Sequence, residues 1–293
     1  MIDFIEGLKN GLSMGSAFAL IALGYSMVYG IVKMINFAHS EFITIGGFVA
    51  YYVAEKLLHK LGWDYSLPML LVCLLIAIIV CVIVAFITER FAYRPLRQKG
   101  SSRINALITA IGVSYILNSL LNAINPNKFY FPTFFNEDVS FIISISATAV
   151  LVVLLTLFVK KTKLGIAMRA VSENEEAAKL MGINNNLIIA LTFIIGSVMA
   201  AIGIVIYLLN FQQLHFNLGS GAIGLYPFVA AVIGGIGSLP GSVIGGFLIG
   251  IIKEFAYTYE ISQWSDLIVY GIFIVILLFK PTGLLGKDIR EKV

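Results

Sequence analysis

Runs of about twenty apolar residues, the length a helix needs to cross a bilayer, recur along almost the whole chain and alternate with short polar stretches. Six are uninterrupted, at approximately 8 to 30, 68 to 88, 104 to 124, 139 to 159, 187 to 208 and 264 to 280. Two further apolar regions are irregular. The first, 34 to 54, opens on Asn36-Phe37-Ala38-His39-Ser40-Glu41 and then carries Gly46-Gly47. The second, 221 to 258, is too long for one crossing and is broken by Pro227, Gly234-Gly235, Gly237 and Pro240-Gly241. The pattern predicts an all-α integral membrane protein: one transmembrane domain over 1–293, a helical bundle of eight or nine segments with broken or re-entrant helices.

The only long polar island in the second half of the chain runs from Lys160 to Asn186. Its five basic and three acidic residues keep it out of hydrocarbon, yet it reads as structured. Ser172 and Glu175 have the spacing of a capping box, which starts a helix at Glu173. Glu175 and Lys179 stand four apart and pair on one face, and Gly182 supplies the left-handed residue that closes the helix near Met181. Ala177 and Ala178 leave a flat patch beside that pair. The island is either a docking surface for a soluble partner or an ordinary structured loop.

Charge orients the chain. Lys and Arg gather in three segments: Arg90, Arg94, Arg97, Lys99 and Arg103; Lys160, Lys161, Lys163, Arg169 and Lys179; and Lys280, Lys287, Arg290 and Lys292. Basic loops face the cytoplasm, whereas 125 to 138, 209 to 220 and 259 to 266 face outward. The parity closes with nine crossings, or eight if one broken region is re-entrant, with the N-terminus outside and the C-terminus in the cytoplasm. The first apolar stretch lacks the basic flank and cleavage site of a signal peptide. Only 12% of the 293 residues are charged and 59% are hydrophobic, so the +4 net charge reports topology and no nucleic-acid partner is expected.

Broken helices leave backbone groups unpaired, which is tolerated where protein or a water-filled cavity covers them. In transporters such segments point to the translocation path. Asn36, His39 and Glu41 therefore either line a path or interface, with Gly46, Gly234, Gly235 and Gly237 in the two broken regions, or cap a helix at the membrane surface. At three and five residues from Asn36 the other two cannot share one helical face. Gly237, Gly241 and Gly245, like Gly246 and Gly250, recur every four residues, the spacing of close helix packing. Gly235-Ile236-Gly237 lacks the third glycine and the strand-helix setting of a dinucleotide site. Adjacent Lys253 and Glu254 are no intrahelical pair; they snorkel or face a cavity. Cys73 and Cys81 are filler, and no metal-site spacing occurs.

The chain carries no G-x-x-x-x-G-K-[ST] loop, HExxH or nucleophile elbow, so it is not expected to be an enzyme, and any ATP that drives it is bound elsewhere. An ion-coupled secondary transporter or channel for a small polar solute is the alternative; its intramembrane acids would be Glu41 and Glu254.

Glu176-Ala177-Ala178-Lys179-Leu180-Met181-Gly182 matches the EAA-x-x-x-G core of the loop by which ABC importer permeases dock on their ATPases. Asn10 to Ser13, Ser16 to Gly24, Ile35 to Phe42, Ala167 to Ala170, Gly182 to Asn184, Ala230 to Gly241 and Lys280 to Gly286 also resemble, in order, the permease subunits of branched-chain amino-acid ABC importers. Ser40 departs from the pattern: relatives usually have glycine there, and a Cβ argues against a tight left-handed turn. The resemblance implies a multi-pass protein of the bacterial inner membrane with a second, homologous or identical permease, two cytoplasmic ATPases and an external substrate-binding protein. Membrane lipid would surround it. The island's Ser172, Glu175, Glu176, Ala177, Ala178, Lys179 and Gly182 would form the coupling surface. ATP would sit on the partners, with no cofactor on this chain, and the cargo would be leucine, isoleucine, valine or a related solute.

Overall fold

The computed structural model describes residues 2–101 and 103–286; Lys287, Arg290 and Lys292, three of the tail cations, lie outside the described residues. The apolar runs fold as helices, which satisfy their own backbone in hydrocarbon. In chain order they are α1 (Ile2–Val32), α2 (His39–Tyr51, prolonged by a π-helical turn Tyr52–Leu58), α3 (Leu67–Thr88, prolonged by a π-helical turn Glu89–Tyr93), α4 (Arg94–Gln98) and α5 (Arg103–Ile124). After the short strand β1 (Phe129–Tyr130) come α6 (Glu137–Lys161), α7 (Lys163–Glu173), α8 (Glu175–Leu180) and α9 (Asn185–Phe211). Strand β2 (Gln213–Leu214), α10 (Ala222–Gly234), α11 (Leu239–Thr258) and α12 (Ser265–Phe279) complete the described chain.

Seven helices among the described residues are long and apolar enough to cross a membrane. Nine crossings would need α2 and α10 as well. At 13 residues α10 rises about 20 Å, short of the ~30 Å hydrocarbon core. Its neighbour in sequence explains how it fits. Leu214 pairs with Phe129 across the two-stranded ribbon of β1 and β2, after which the chain dips between helices. The Gly219 N–H donates to Thr44 Oγ1 at 2.7 Å, inside α2. The stretch 209 to 220 is thus no simple outer loop: its start belongs to α9 and its end is re-entrant.

α1 is the central helix, with 78% of its most apolar window buried against 11% in α5 and α12. It packs along α9 and α11. Between apolar helices in lipid, burial offers little drive, so contact depends on dispersion at close range. Glycines permit that range. A Cβ on Gly15 would stand 2.8 Å from the Phe247 Cα, and one on Gly246 2.5 Å from the Ala19 Cα. The four-residue glycine spacing is packing, as expected. Cys73 and Cys81 are free and buried, with the Cys81 thiol donating to the Phe42 carbonyl at 3.3 Å.

The first two basic segments, and Lys280 of the third, come together at one end of the bundle. Arg97 of α4 meets Glu175 and Asn186 beside α8, and the Leu284 and Leu285 N–H groups donate to the Ile233 and Gly234 carbonyls at the turn after α10.

Candidate functional site

The polar island folds as two helices, not one. Thr162 caps α7, its Oγ1 accepting from the Gly165 N–H at 3.0 Å. Gly165, Met168 and Val171, three residues apart, turn one face inward. Asn174 then leaves helical geometry (φ −153°, ψ 109°), and its Oδ1 accepts from the Ala177 N–H at 3.0 Å. The cap of α8 is therefore Asn174 and the helix starts at Glu175, not at Glu173. Ser172 stays in the last turn of α7, where its hydroxyl donates to the Arg169 carbonyl. Asparagine caps as well as serine, and it stands where the two helix axes diverge.

The expected Glu175–Lys179 pair does not form either. The Glu175 carboxylate lies 3.8 Å from Arg97 Nε, a guanidinium largely screened from water, whereas an exposed pair four apart gains only about 0.2–0.5 kcal/mol. Gly182 does close the helix at φ +84°. Its N–H donates to the Lys179 carbonyl and that of Ile183 to the Ala178 carbonyl, each at 3.0 Å, the Schellman pattern. Ala178 is buried against the body of the protein, so the alanines do not form a surface patch. What projects is Leu180 and Met181, 88% and 83% exposed, beside exposed Glu176, Ala177 and Lys179.

Beneath α8 lies a polar junction that the sequence reading missed. Glu89, fully buried, accepts from Arg94 Nη2 at 2.7 Å and from Arg97 Nη2 at 3.3 Å. The same Arg97 nitrogen donates to Asn186 Oδ1 at 2.7 Å, and Asn185 Nδ2 donates to the Glu175 carbonyl. Tyr93, one turn from Glu89, donates its buried hydroxyl to Asn36 Oδ1 at 2.7 Å. Its signal was present as acid, aromatic and base at positions 89, 93 and 97, four apart on one helical face.

The polar cluster of the first broken region does not assemble into one face. Asn36 lies in the turn before α2 and faces Tyr93. His39 is the first residue of α2, with its ring edge-on to Tyr25 at 4.4 Å between centroids; a Cβ on Gly24 would stand 2.6 Å from its Nε2. Glu41 points toward α5: Oε1 accepts from Ser114 at 3.0 Å, while Oε2 is buried with no partner at hydrogen-bond distance. Next to it, Asn118 Nδ2 donates to Ser220 Oγ and the Phe216 carbonyl. The first turn of α2 and the re-entrant stretch before α10 thus meet around Ser40, Glu41, Thr44, Gly219 and Ser220. Ala38, the residue preceding α2, makes no side-chain cap. Ser40 is helical; the left-handed residue nearby is Lys33 at φ 55°.

The glycines singled out with this cluster lie elsewhere. Gly46 faces Cys81, Ile204 and Ala201 between α2, α3 and α9. Gly234, Gly235 (φ +107°) and Gly237 (φ +87°) form the turn from α10 to α11 against Gly30 and the C-terminal segment. Lys253 and Glu254 border a cavity of about 700 Å³ at the end of the bundle opposite α8, lined also by Lys9, Asn10, Tyr207 and Asn210. There Lys253 donates to Tyr226 Oη at 2.7 Å and sits 3.3 Å from Asp266.

The family described as "Branched-chain amino acid transport system / permease component" matches residues 7–278. The high-affinity branched-chain amino acid transport system permease protein BraD of Pseudomonas aeruginosa is 41% identical over 306 residues, covering 99% of this chain and 98% of that one. The corresponding protein LivH of Escherichia coli K12 is 36% identical over 305 residues, with 99% and 98% covered. Among solved structures, PsaBC from Streptococcus pneumoniae in complex with Fab superposes with a TM-score of 0.52 at 15% identity, covering 96% of this chain and 97% of that one. That likeness concerns the fold alone.

Proposed function

Since the chain belongs to the family of permease components of branched-chain amino acid transport systems, we infer that it is the membrane-spanning subunit of an ATP-driven importer for leucine, isoleucine and valine. One of two cytoplasmic ATPases docks on α8, a second permease lies alongside, and an external binding protein delivers the cargo. The bundle sits in a bacterial inner membrane with its basic end in the cytoplasm, the N-terminus outside and the C-terminus inside, following the bias of Lys and Arg.

The observation that carries this reading is α8 itself. A capped, six-residue helix at the basic end presents Leu180 and Met181 almost bare, and a pair of exposed apolar side chains beside charges suits a helix that seats in a groove on a partner. Glu176, Ala177 and Lys179 flank that pair, while Gly182 and the buried Ala178 hold the helix in place. The path runs along the meeting of α2 and the re-entrant stretch, where the Gly219 N–H and the Phe216 carbonyl are covered by Thr44 and Asn118 and the Glu41 carboxylate by Ser114. Asn36 and His39 shape its neck; Gly46, Gly234, Gly235 and Gly237 let the surrounding helices close up. ATP binds the partner subunits and no cofactor binds this chain.

Uptake by the reconstituted complex should stop when ATP is depleted and continue when the proton gradient is collapsed. Uptake by this chain alone in proteoliposomes, driven by a proton or sodium gradient, would instead make it a secondary carrier working through its buried acids.

A further inference from the structure

We propose that Glu89, Tyr93 and Arg97 are positioning residues that tie the docking helix α8 to the neck of the broken helix α2, so that displacement of one is felt at the other. This rests on the reading of α8 as the seat of an ATPase.

The three residues stand four apart on a continuous helical rod formed by the end of α3, its π-helical turn and α4. π-turns inside α-helices cluster at functional sites because the extra residue re-aims the side chains beyond it. Here the turn spans Glu89–Tyr93. At its far side Arg97 grips α8 and the start of α9 through Glu175 and Asn186, at 3.8 and 2.7 Å. At its last residue Tyr93 holds Asn36, in the turn between α1 and α2. Glu89, wholly removed from solvent, fixes Arg97 from within and has Arg94 as second partner. The links of Arg97 to Glu89 and Asn186 and of Tyr93 to Asn36 are buried or half-buried polar contacts, where the loss of one partner leaves the other unpaired at a cost that a surface contact does not carry, whereas Glu175 meets Arg97 with its carboxylate exposed.

The junction also has a second arrangement within reach. Arg97 Nη1, a donor, and Asn185 Oδ1, an acceptor, are both buried without a partner at the same seam between α4 and the start of α9. An unpaired donor and an unpaired acceptor at one seam mark an arrangement whose polar groups are not fully satisfied. A small shift of α8, with Asn185 bonded to it through the Glu175 carbonyl, would let the two pair while loosening the contact of Arg97 with Asn186 and Glu89. Coupling between separated sites requires such a two-state element. At the other end of the rod, the Asn36 amide nitrogen is likewise buried and unpaired, which leaves the neck free to exchange partners.

The experiment uses the whole complex, purified with its ATPases, and reads ATPase activity with and without leucine-loaded binding protein for wild type, Tyr93→Phe, Arg97→Gln and the double variant. Tyr93→Phe keeps the ring against Phe193 and removes only the hydroxyl. Each single variant should appear in the membrane and retain its ATPases, yet lose about ten-fold in stimulation, within the usual range of coupling between sites. Because both break one relay, the double variant should fall no further than the worse single one. If Arg97→Gln fails to accumulate, Tyr93→Phe alone decides by the same readout. A purely structural role would lower protein amount and leave stimulation per complex unchanged, which would overturn the proposal, as would losses that multiply in the double variant. Absence of ATPases from the wild-type preparation would overturn the importer reading, and the relay with it.

Discussion

Aspartate at both Leu180 and Met181 should leave the chain in the membrane at its normal amount and release its ATPases almost completely. Both side chains are nearly bare in the isolated chain, so neither contributes packing that the substitution could remove, and α8 keeps its Asn174 cap and its Gly182 closure. In a docked complex their burial is worth about 1.5–3 kcal/mol each, and carboxylates forced into the same groove would be desolvated without partners. A loss of about 3 kcal/mol corresponds to roughly a hundred-fold weaker association. Copurification of ATPase and stimulated hydrolysis should therefore fall together by that order. Arg at Ala178 should also weaken docking, but by a different route: Ala178 is buried against the body, so the larger side chain would pry α8 off its seat. That variant should lose protein as well as coupling, and the comparison of the two separates surface from support.

The second large effect concerns the seam between α1 and α11. Leucine in place of Gly246 should deplete the chain from the membrane, because even its Cβ would lie 2.5 Å from the backbone nitrogen and Cα of Ala19. Backbone cannot rotate away as a side chain can, so the two central helices must separate. Overpacking costs typically about 1–3 kcal/mol when side chains can adjust, and more is expected where backbone is struck. Folded proteins have only about 5–15 kcal/mol to lose, and the amount of chain recovered after detergent extraction should fall several-fold. Gly271→Ala is the control: a Cβ there has nothing within 4 Å and should change nothing.

These two sites differ in how well the sequence announces them. The apolar runs, the four-residue glycine spacing and the closing Gly182 are local signals, and each maps onto a helix, a close contact or a left-handed turn. The start of α8 depends on a competition between Ser172 and Asn174 that local spacing does not decide. It is settled by the inward face of α7, which places Met168 and Val171 in the core and keeps the first helix intact through Glu173. Glu175 leaves Lys179 for Arg97, a residue 78 positions away, and no pattern on the island itself encodes that partner. The same holds for Glu89, which stands among basic residues, reads there as one charge in a polar loop, and is in fact the buried centre of the junction. Asn36, His39 and Glu41 read as one cluster because they are adjacent in sequence. The turn before α2 and the onset of its helix send them in three directions, toward α3, α1 and α5 respectively.

That α8 is the surface on which ATP hydrolysis is coupled to transport can be checked by crosslinking in native membranes. A cysteine at Leu180 in a chain otherwise lacking Cys73 and Cys81 should form an adduct with lysines of an ATPase subunit through a short thiol-to-amine crosslinker, whereas one at Asn127, at the opposite end of the bundle, should form none. An adduct from position 127, or none from position 180 in membranes that contain the active complex, would contradict it.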